Sequence, residues 1–310
     1  MKKRDYLHMR KNILLSYFLA LLVIFIWSIT FVSTKILLNH ISPTEILFYR
    51  NVIAYLIFFA VSPRIIWPRS FRDEVKFALA GLLGVTLYFL CENFALSFST
   101  AANVSLLVST APMLTGLVSH FLTKDERITK YFIYGGLFGL AGVFLIVFNG
   151  HFYLKLNPTG DILAILSALS FAFYSIIIRD LDRTVYSAIV ITRKTFFYSL
   201  LSLIPLLFTP LFDCDPKVLI QGEVFGNLLF LGIFASALCF LWWNKVMWEL
   251  GAVRANNLIY LLPPMAMILA AVILKEKITL FAALGGLLIL LGVYFSQKTP
   301  PEPDKGSGID

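Results

Sequence analysis

Apolar residues along this chain fall into ten long runs separated by short polar stretches. The runs cover about 13–38, 45–62, 75–97, 101–122, 130–149, 160–178, 187–209, 224–246, 253–274 and 279–297. An α-helix needs about 20 apolar residues to cross a hydrocarbon core of roughly 30 Å, so each run predicts a membrane helix and the fold class is an all-α integral membrane protein. The first run follows a basic leader (Lys2, Lys3, Arg4, Arg10, Lys11), as a secretory signal would. It is longer than a signal core of about 7–15 residues and is not closed by a small-x-small cleavage site, so it is read as a retained helix.

Composition supports the bilayer as solvent. The 310 residues are 59% hydrophobic and 14% charged, with a mean hydropathy of +0.82, more apolar surface than one soluble core could bury. The net charge of +8 is dispersed among short loops, which makes it a topology signal and an affinity for anionic headgroups, not a nucleic-acid footprint. With the N-terminus inside, one side collects Arg64, Arg69, Arg72, Lys76, Lys124, Arg127, Lys130, Arg179, Arg183, Lys245, Arg254 and Lys298. The other side holds Lys155, Lys217, Lys275 and Lys277. By the positive-inside rule both termini are cytoplasmic, in the cell membrane. The three cysteines (Cys91, Cys214, Cys239) and four histidines (His8, His40, His120, His151) show no ligand spacing, so no metal or cofactor is expected.

The second half repeats the end of the first. Glu126–Val143 reads E-R-I-T-K-Y-F-I-Y-G-G-L-F-G-L-A-G-V, and Glu276–Val293 reads E-K-I-T-L-F-A-A-L-G-G-L-L-I-L-L-G-V. Each copy follows an apolar segment holding a Pro-Met pair, Pro112-Met113 and Pro264-Met265. Fainter matches join Trp27-Ser28 and Lys35 to Phe171-Ala172 and Arg179, and Arg50 to Arg193. Ten helices divide into two sets of five, and an odd number forces the second set to enter from the opposite face, giving inverted repeats. The expected organisation is a basic cytoplasmic N-terminus (1–12), a first repeat (13–150), a second repeat (151–298) and a disordered C-terminal tail or expression remnant (299–310).

The W-S-x-x-F-x-x-x-K of residues 27–35, Arg50 early in the second helix, the two mid-helix prolines and the paired E-x-x-T and G-G/G-V segments together resemble the EamA-type members of the drug/metabolite transporter superfamily, over about residues 13–297. Phe171 stands where that pattern commonly has tryptophan. The resemblance implies a ten-helix inverted-repeat exporter or exchanger of small metabolites, often amino acids.

Candidate substrate contacts follow from cost. An ionised side chain at the centre of a membrane helix costs roughly 2.5–3.5 kcal/mol on the insertion scale, so it normally faces a cavity or a partner. Glu92 is such a group, either a cavity carboxylate for an ammonium or a proton, or a structural partner of Arg50 or Lys35. Arg50 and Arg193 either hold a substrate carboxylate bidentately or pair and cap within the scaffold. Lys194 is expected to reach for the cytoplasmic interface. Asn103, Ser105, Ser109 and Thr110 precede Pro112, and Asn256, Asn257 and Tyr260 precede Pro263-Pro264. Each proline frees a backbone acceptor near mid-membrane, which suits a binding site, although such residues also join helices. Trp27, Glu92, Asn93, Asn103, Ser109, Asn257 and Tyr260 form the candidate set. Trp242 and Trp243 read as interface anchors or packing, the glycines as helix-packing faces, and Glu126 and Glu276 as helix caps.

No hydrolase elbow, zinc-protease helix or phosphate-cradling loop is present in the sequence, so an enzyme or ATP-driven pump lacks its parts, and no filter sequence suggests a channel. The predicted function is a secondary transporter of a small metabolite, most simply an amino acid, working by alternating access. The alternatives are an effluxer of drugs or cationic compounds and an uptake carrier for a vitamin or nucleoside-like metabolite. The partners are a small-molecule substrate and the lipid bilayer, with no nucleic acid; association of two copies as a homodimer is left open.

Overall fold

The computed structural model describes residues 3–63, 67–123, 128–148, 157–182, 184–213, 216–273 and 279–297. Among the described residues eight helices are long and apolar enough to span a membrane: α1 (Ile13–Leu37, the apolar part of a helix that starts at Lys3), α2 (Pro43–Val61), α3 (Phe71–Phe98), α4 (Asn103–Leu122), α5 (Lys130–Phe148), α6 (Pro158–Arg179), α7 (Ala188–Phe208) and α8 (Gly222–Leu250). The ninth predicted run forms α9 (252–273) in three pieces, helix Ala252–Asn257, a 3-10 turn Leu258–Leu261 and helix Leu262–Ile273. The tenth is α10, the 17-residue helix Leu280–Ser296. The roles assigned to Glu126, Glu276, Lys275, Lys277, Cys214, His151 and the tail lie outside the described residues.

Local signals explain the boundaries. Ser42 caps α2 through a reciprocal capping box with Glu45, with Pro43 at the first helical position. Thr129 and Thr279, at matching places in the two copies, accept from the backbone N–H of Phe132 and Ala282, each at 3.2 Å, and so cap α5 and α10. Between α8 and α9 the chain turns on Gly251, whose φ of 88° suits a residue without Cβ. The prolines act as expected. α4 breaks at Ser109–Thr110 just before Pro112, and α9 loosens into its 3-10 turn before Pro263-Pro264.

Packing displays the repeat and its inversion. Gly135 of α5 lies on Gly292 of α10, and Gly142 on Gly285; a Cβ at any of the four would come within 2.5–2.7 Å of the opposite backbone carbonyl. In the sequence repeat Gly135 is equivalent to Gly285 and Gly142 to Gly292, so each contact joins one residue to the equivalent of its helical neighbour. Only antiparallel equivalent helices can do this. Elsewhere the halves interlock in the same reciprocal way. The first helix of each repeat packs on the third and fourth of the other (α1 on α8 and α9, α6 on α3 and α4), and the second on the third of the other (α2 on α8, α7 on α3). Apolar side chains such as Leu14, Phe18, Leu56, Leu287 and Leu290 face outward, as a lipid-facing surface requires.

Both third helices carry a π-bulge, Leu82–Leu87 in α3 and Phe230–Leu238 in α8. A π-turn leaves backbone carbonyls without their usual helical donors, and side chains of the opposite repeat supply them. Ser170 of α6 donates to Leu83 O at 2.6 Å, and Trp27 Nε1 of α1 donates to Ala235 O at 3.1 Å.

Because the glycine contacts are backbone to backbone, Gly142→Ala is expected to lower stability by about 1–3 kcal/mol. Gly226→Ala in α8, where a Cβ meets nothing within 4 Å, is expected not to lower it. Thermal unfolding in detergent, read by tryptophan fluorescence, compares the two.

Candidate functional site

Arg50 is the eighth residue of α2 and Glu92 lies six residues before the end of α3, which places each about 10 Å inside its helix end on the membrane face where α1 ends. Both are almost fully buried, Arg50 at 1% and Glu92 at 3% exposure. They line one cavity of about 20 Å³, room for a water molecule, together with Trp27, Thr30, Tyr88 and Leu262. The guanidinium lies over the Phe89 ring, 3.7 Å from its centroid, and Nε donates to Ser236 Oγ in the α8 bulge at 2.9 Å. Nη2 is buried without a hydrogen-bond partner. Glu92 has Tyr88, one turn earlier on α3, as its side-chain hydrogen-bond partner and Arg50 as its electrostatic neighbour, while Oε2 is buried without a partner. One donor and one acceptor of opposite charge are thus left open toward the same space.

An aromatic cluster supports this cavity. Trp27 packs against Phe171, Phe240 and Trp243 with ring centroids 6.1, 6.0 and 5.1 Å away, so three rings of the second repeat back an indole of the first. Trp243 is 1% exposed and serves packing rather than an interface. A polar chain adjoins the cluster. Tyr174 donates to Asn244 Oδ1 at 2.6 Å, and Asn244 Nδ2 donates to Thr192 Oγ1 at 2.9 Å, joining α6, α8 and α7.

The structure distributes the other predicted residues elsewhere. Asn93, about 100° around the helix from Glu92, donates to Pro43 O at 3.1 Å and ties α3 to the start of α2. Asn103 sits in the first turn after Thr100, which caps it. Ser109 donates to Ser105 O within its own helix at 2.7 Å. Asn256 joins α9 to α4 and α6 through Thr115 at 2.7 Å and Ser175 at 2.8 Å. Asn257 and Tyr260 are fully buried beside the α9 break, and the polar side-chain atoms of both have no partner; Tyr260 packs with Val143 and Ile289 at the α5–α10 contact. None of these six residues borders the Arg50–Glu92 cavity.

Three charged groups resolve their alternatives. Lys35 does not pair with Glu92; it donates to the carbonyls of Leu96 and Ser99, capping the end of α3 where acceptors lack helical donors. Arg193 donates to Ser62 O, closing the end of α2. Lys194, near the start of α7, pairs with Glu74 near the start of α3, with Nζ 2.7 and 2.8 Å from the two carboxylate oxygens. The π-bulges and Ser236 escaped the sequence reading; the signal nearest to them was Gly81, Gly84 and Gly232 within or beside the bulges.

Interlocked helical halves with an apolar outer surface and a charged internal cavity define a multi-span membrane transporter rather than an enzyme. The chain belongs to the EamA-like transporter family, whose model matches residues 14–148 and again residues 158–297. It is 28% identical over 288 residues to an uncharacterized transporter of Archaeoglobus fulgidus, covering 91% of this chain and 96% of that one. It is 25% identical over 273 residues to the uncharacterized transporter YyaM of Bacillus subtilis, covering 85% and 87%. A protein of known crystal structure shares the fold with a TM-score of 0.69 at 21% identity, over 91% of this chain and 96% of that one.

Ser236→Ala is expected to leave Arg50 Nε buried without an acceptor and to cost about 1.5–3 kcal/mol of stability, the range for a hydrogen bond to a charged group. Ser236→Thr, which keeps the hydroxyl, is expected to retain most of it. Thermal unfolding of the two variants makes the comparison.

Proposed function

We propose that this transporter is a secondary carrier for an amino acid or a closely related zwitterion, exporting or exchanging it across the cell membrane by alternating access, with both termini on the cytoplasmic side. The observation that carries this reading is the pair of open groups in one cavity. Arg50 Nη2 can take a substrate carboxylate and Glu92 Oε2 its ammonium, and Trp27, Tyr88 and Phe89 supply apolar and cation-binding walls. A cavity of about 20 Å³ is too small for any amino acid, so binding requires the walls to part. Since α1, α2 and α3 come from one repeat and Leu262 and Ser236 from the other, rocking of residues 13–150 against residues 151–298 opens it. A single copy holds both halves, so association of two copies is not needed for the route.

Aromatic walls beside a buried carboxylate favour a second reading, efflux of an organic cation, for which Arg50 is superfluous. Counterflow of radiolabelled amino acids and lipophilic cations in proteoliposomes separates the two. Arg50→Gln is expected to lower amino-acid counterflow at least tenfold, matching the loss of a charge-assisted hydrogen bond. Glu92→Gln is expected to lower it as well and to flatten its pH dependence, because acid neutralises the wild-type carboxylate between Arg50 and Tyr88 and so weakens ammonium binding. Saturable counterflow of cations but not amino acids, insensitive to Arg50→Gln, would leave the second reading standing.

A further inference from the structure

A second cavity, of about 500 Å³, lies on the membrane face opposite the Arg50–Glu92 site, between the end of α2 and the starts of α3 and α7. Its walls are aromatic. Tyr55 and Phe59 of α2 stack with ring centroids 6.3 Å apart, and Tyr55 meets Phe197 of α7 at 6.0 Å. Phe59 and Phe197 are exposed on the outer surface, so the groove opens sideways toward lipid. Its rim carries Trp67, 82% exposed, the residue type that settles at headgroup level.

One end of the groove is charged. Arg193, Lys194 and Glu74 line it; Lys194 pairs with Glu74, and the Tyr198 hydroxyl donates to the same carboxylate. Among the described lining residues two cations face one carboxylate. Arg193 is five residues from the start of α7 and Glu74 three from the start of α3, about 5–8 Å below the helix ends, the depth of phosphates and glycerol backbones rather than of acyl chains. An aromatic groove open to the bilayer, with two cations and one carboxylate at its phosphate-depth end, is complementary to an anionic lipid.

We infer that this groove is a binding site for an anionic phospholipid, with the phosphate held by Arg193 and Lys194 and an acyl chain laid along Tyr55, Phe59 and Phe197. Glu74 keeps Lys194 extended toward the phosphate and limits the charge of the site. The site is separate from the transport cavity and does not depend on what is carried.

Native mass spectrometry of the full-length protein, titrated with phosphatidylglycerol, phosphatidylcholine or glycerol 3-phosphate, tests it. Phosphatidylglycerol is expected to be retained in preference to phosphatidylcholine, and glycerol 3-phosphate, which lacks the chains, is expected not to be retained. Lys194→Gln removes one of the two cations and is expected to weaken phosphatidylglycerol binding about fivefold, whereas Glu74→Gln removes the carboxylate that opposes them and is expected to strengthen it by a similar factor, from about 1 kcal/mol per charge at a membrane surface. The inference is overturned by equal retention of the two lipids, or by retention of glycerol 3-phosphate as strong as that of the lipid, which marks a free-anion site. Weakening by Glu74→Gln also overturns it, since a merely structural ion pair responds that way.

Discussion

In a bilayer every backbone polar group and every charge must find its partner inside the protein, and the arrangement of this chain follows from how that demand is met. Several departures from regular helical bonding are answered by a side chain from elsewhere in the bundle. Lys35 closes the end of α3, Arg193 closes the end of α2, and the two bulges bond to helices of the opposite repeat. Arg50 and Glu92 each keep one polar atom open, and among the described residues they are the two buried groups of this kind that line one small cavity.

The repeats are more than twins side by side. Each first helix lies in the cleft of the other half, so each half helps to bury polar positions of the other, as Ser170, Trp27 and Arg50 do. The α5–α10 contact is the tightest expression of the symmetry, a glycine seam in which backbones touch and no side chain intervenes. Such a seam resists separation yet presents smooth surfaces, which suits a joint that must persist while the rest of the bundle changes shape.

Much of the architecture was legible because lipid simplifies the code. Apolar runs gave the helices, and the repeated Gly-Gly and Gly-Val segments gave the duplication whose antiparallel packing the structure displays. The prolines located the breaks in α4 and α9. Glu92 was marked by the cost of placing an ionised group in a membrane helix, Arg50 by its match to Arg193 and Trp27 by its place in the W-S-x-x-F-x-x-x-K segment, and the three do share a cavity. The same logic said nothing about angle around the helix. Asn93 is one residue from Glu92 and points to the α2 start instead, and Ser109 satisfies itself within its own turn. Nor could hydropathy reveal a π-bulge, which changes registration without changing composition, or the choice Lys194 makes between solvent and Glu74 across a distance of 120 positions in the chain.

The two bulges are alike in backbone and unlike in what fastens them. In α3 the fasteners are hydroxyls, Ser170 on Leu83 O and Thr86 among Ser199 and Ser202. In α8 they are an indole and a guanidinium, Trp27 on Ala235 O and Arg50 on Ser236. Hydroxyls exchange partners locally and carry no charge, so the first fastening is a rivet. The second is made by the same groups that wall the cavity, so in the proposed mechanism a molecule that engages them pulls on the opposite half as well. Duplication thus supplied two equal joints, and divergence left one as plain carpentry and, in that reading, made the other a sensor.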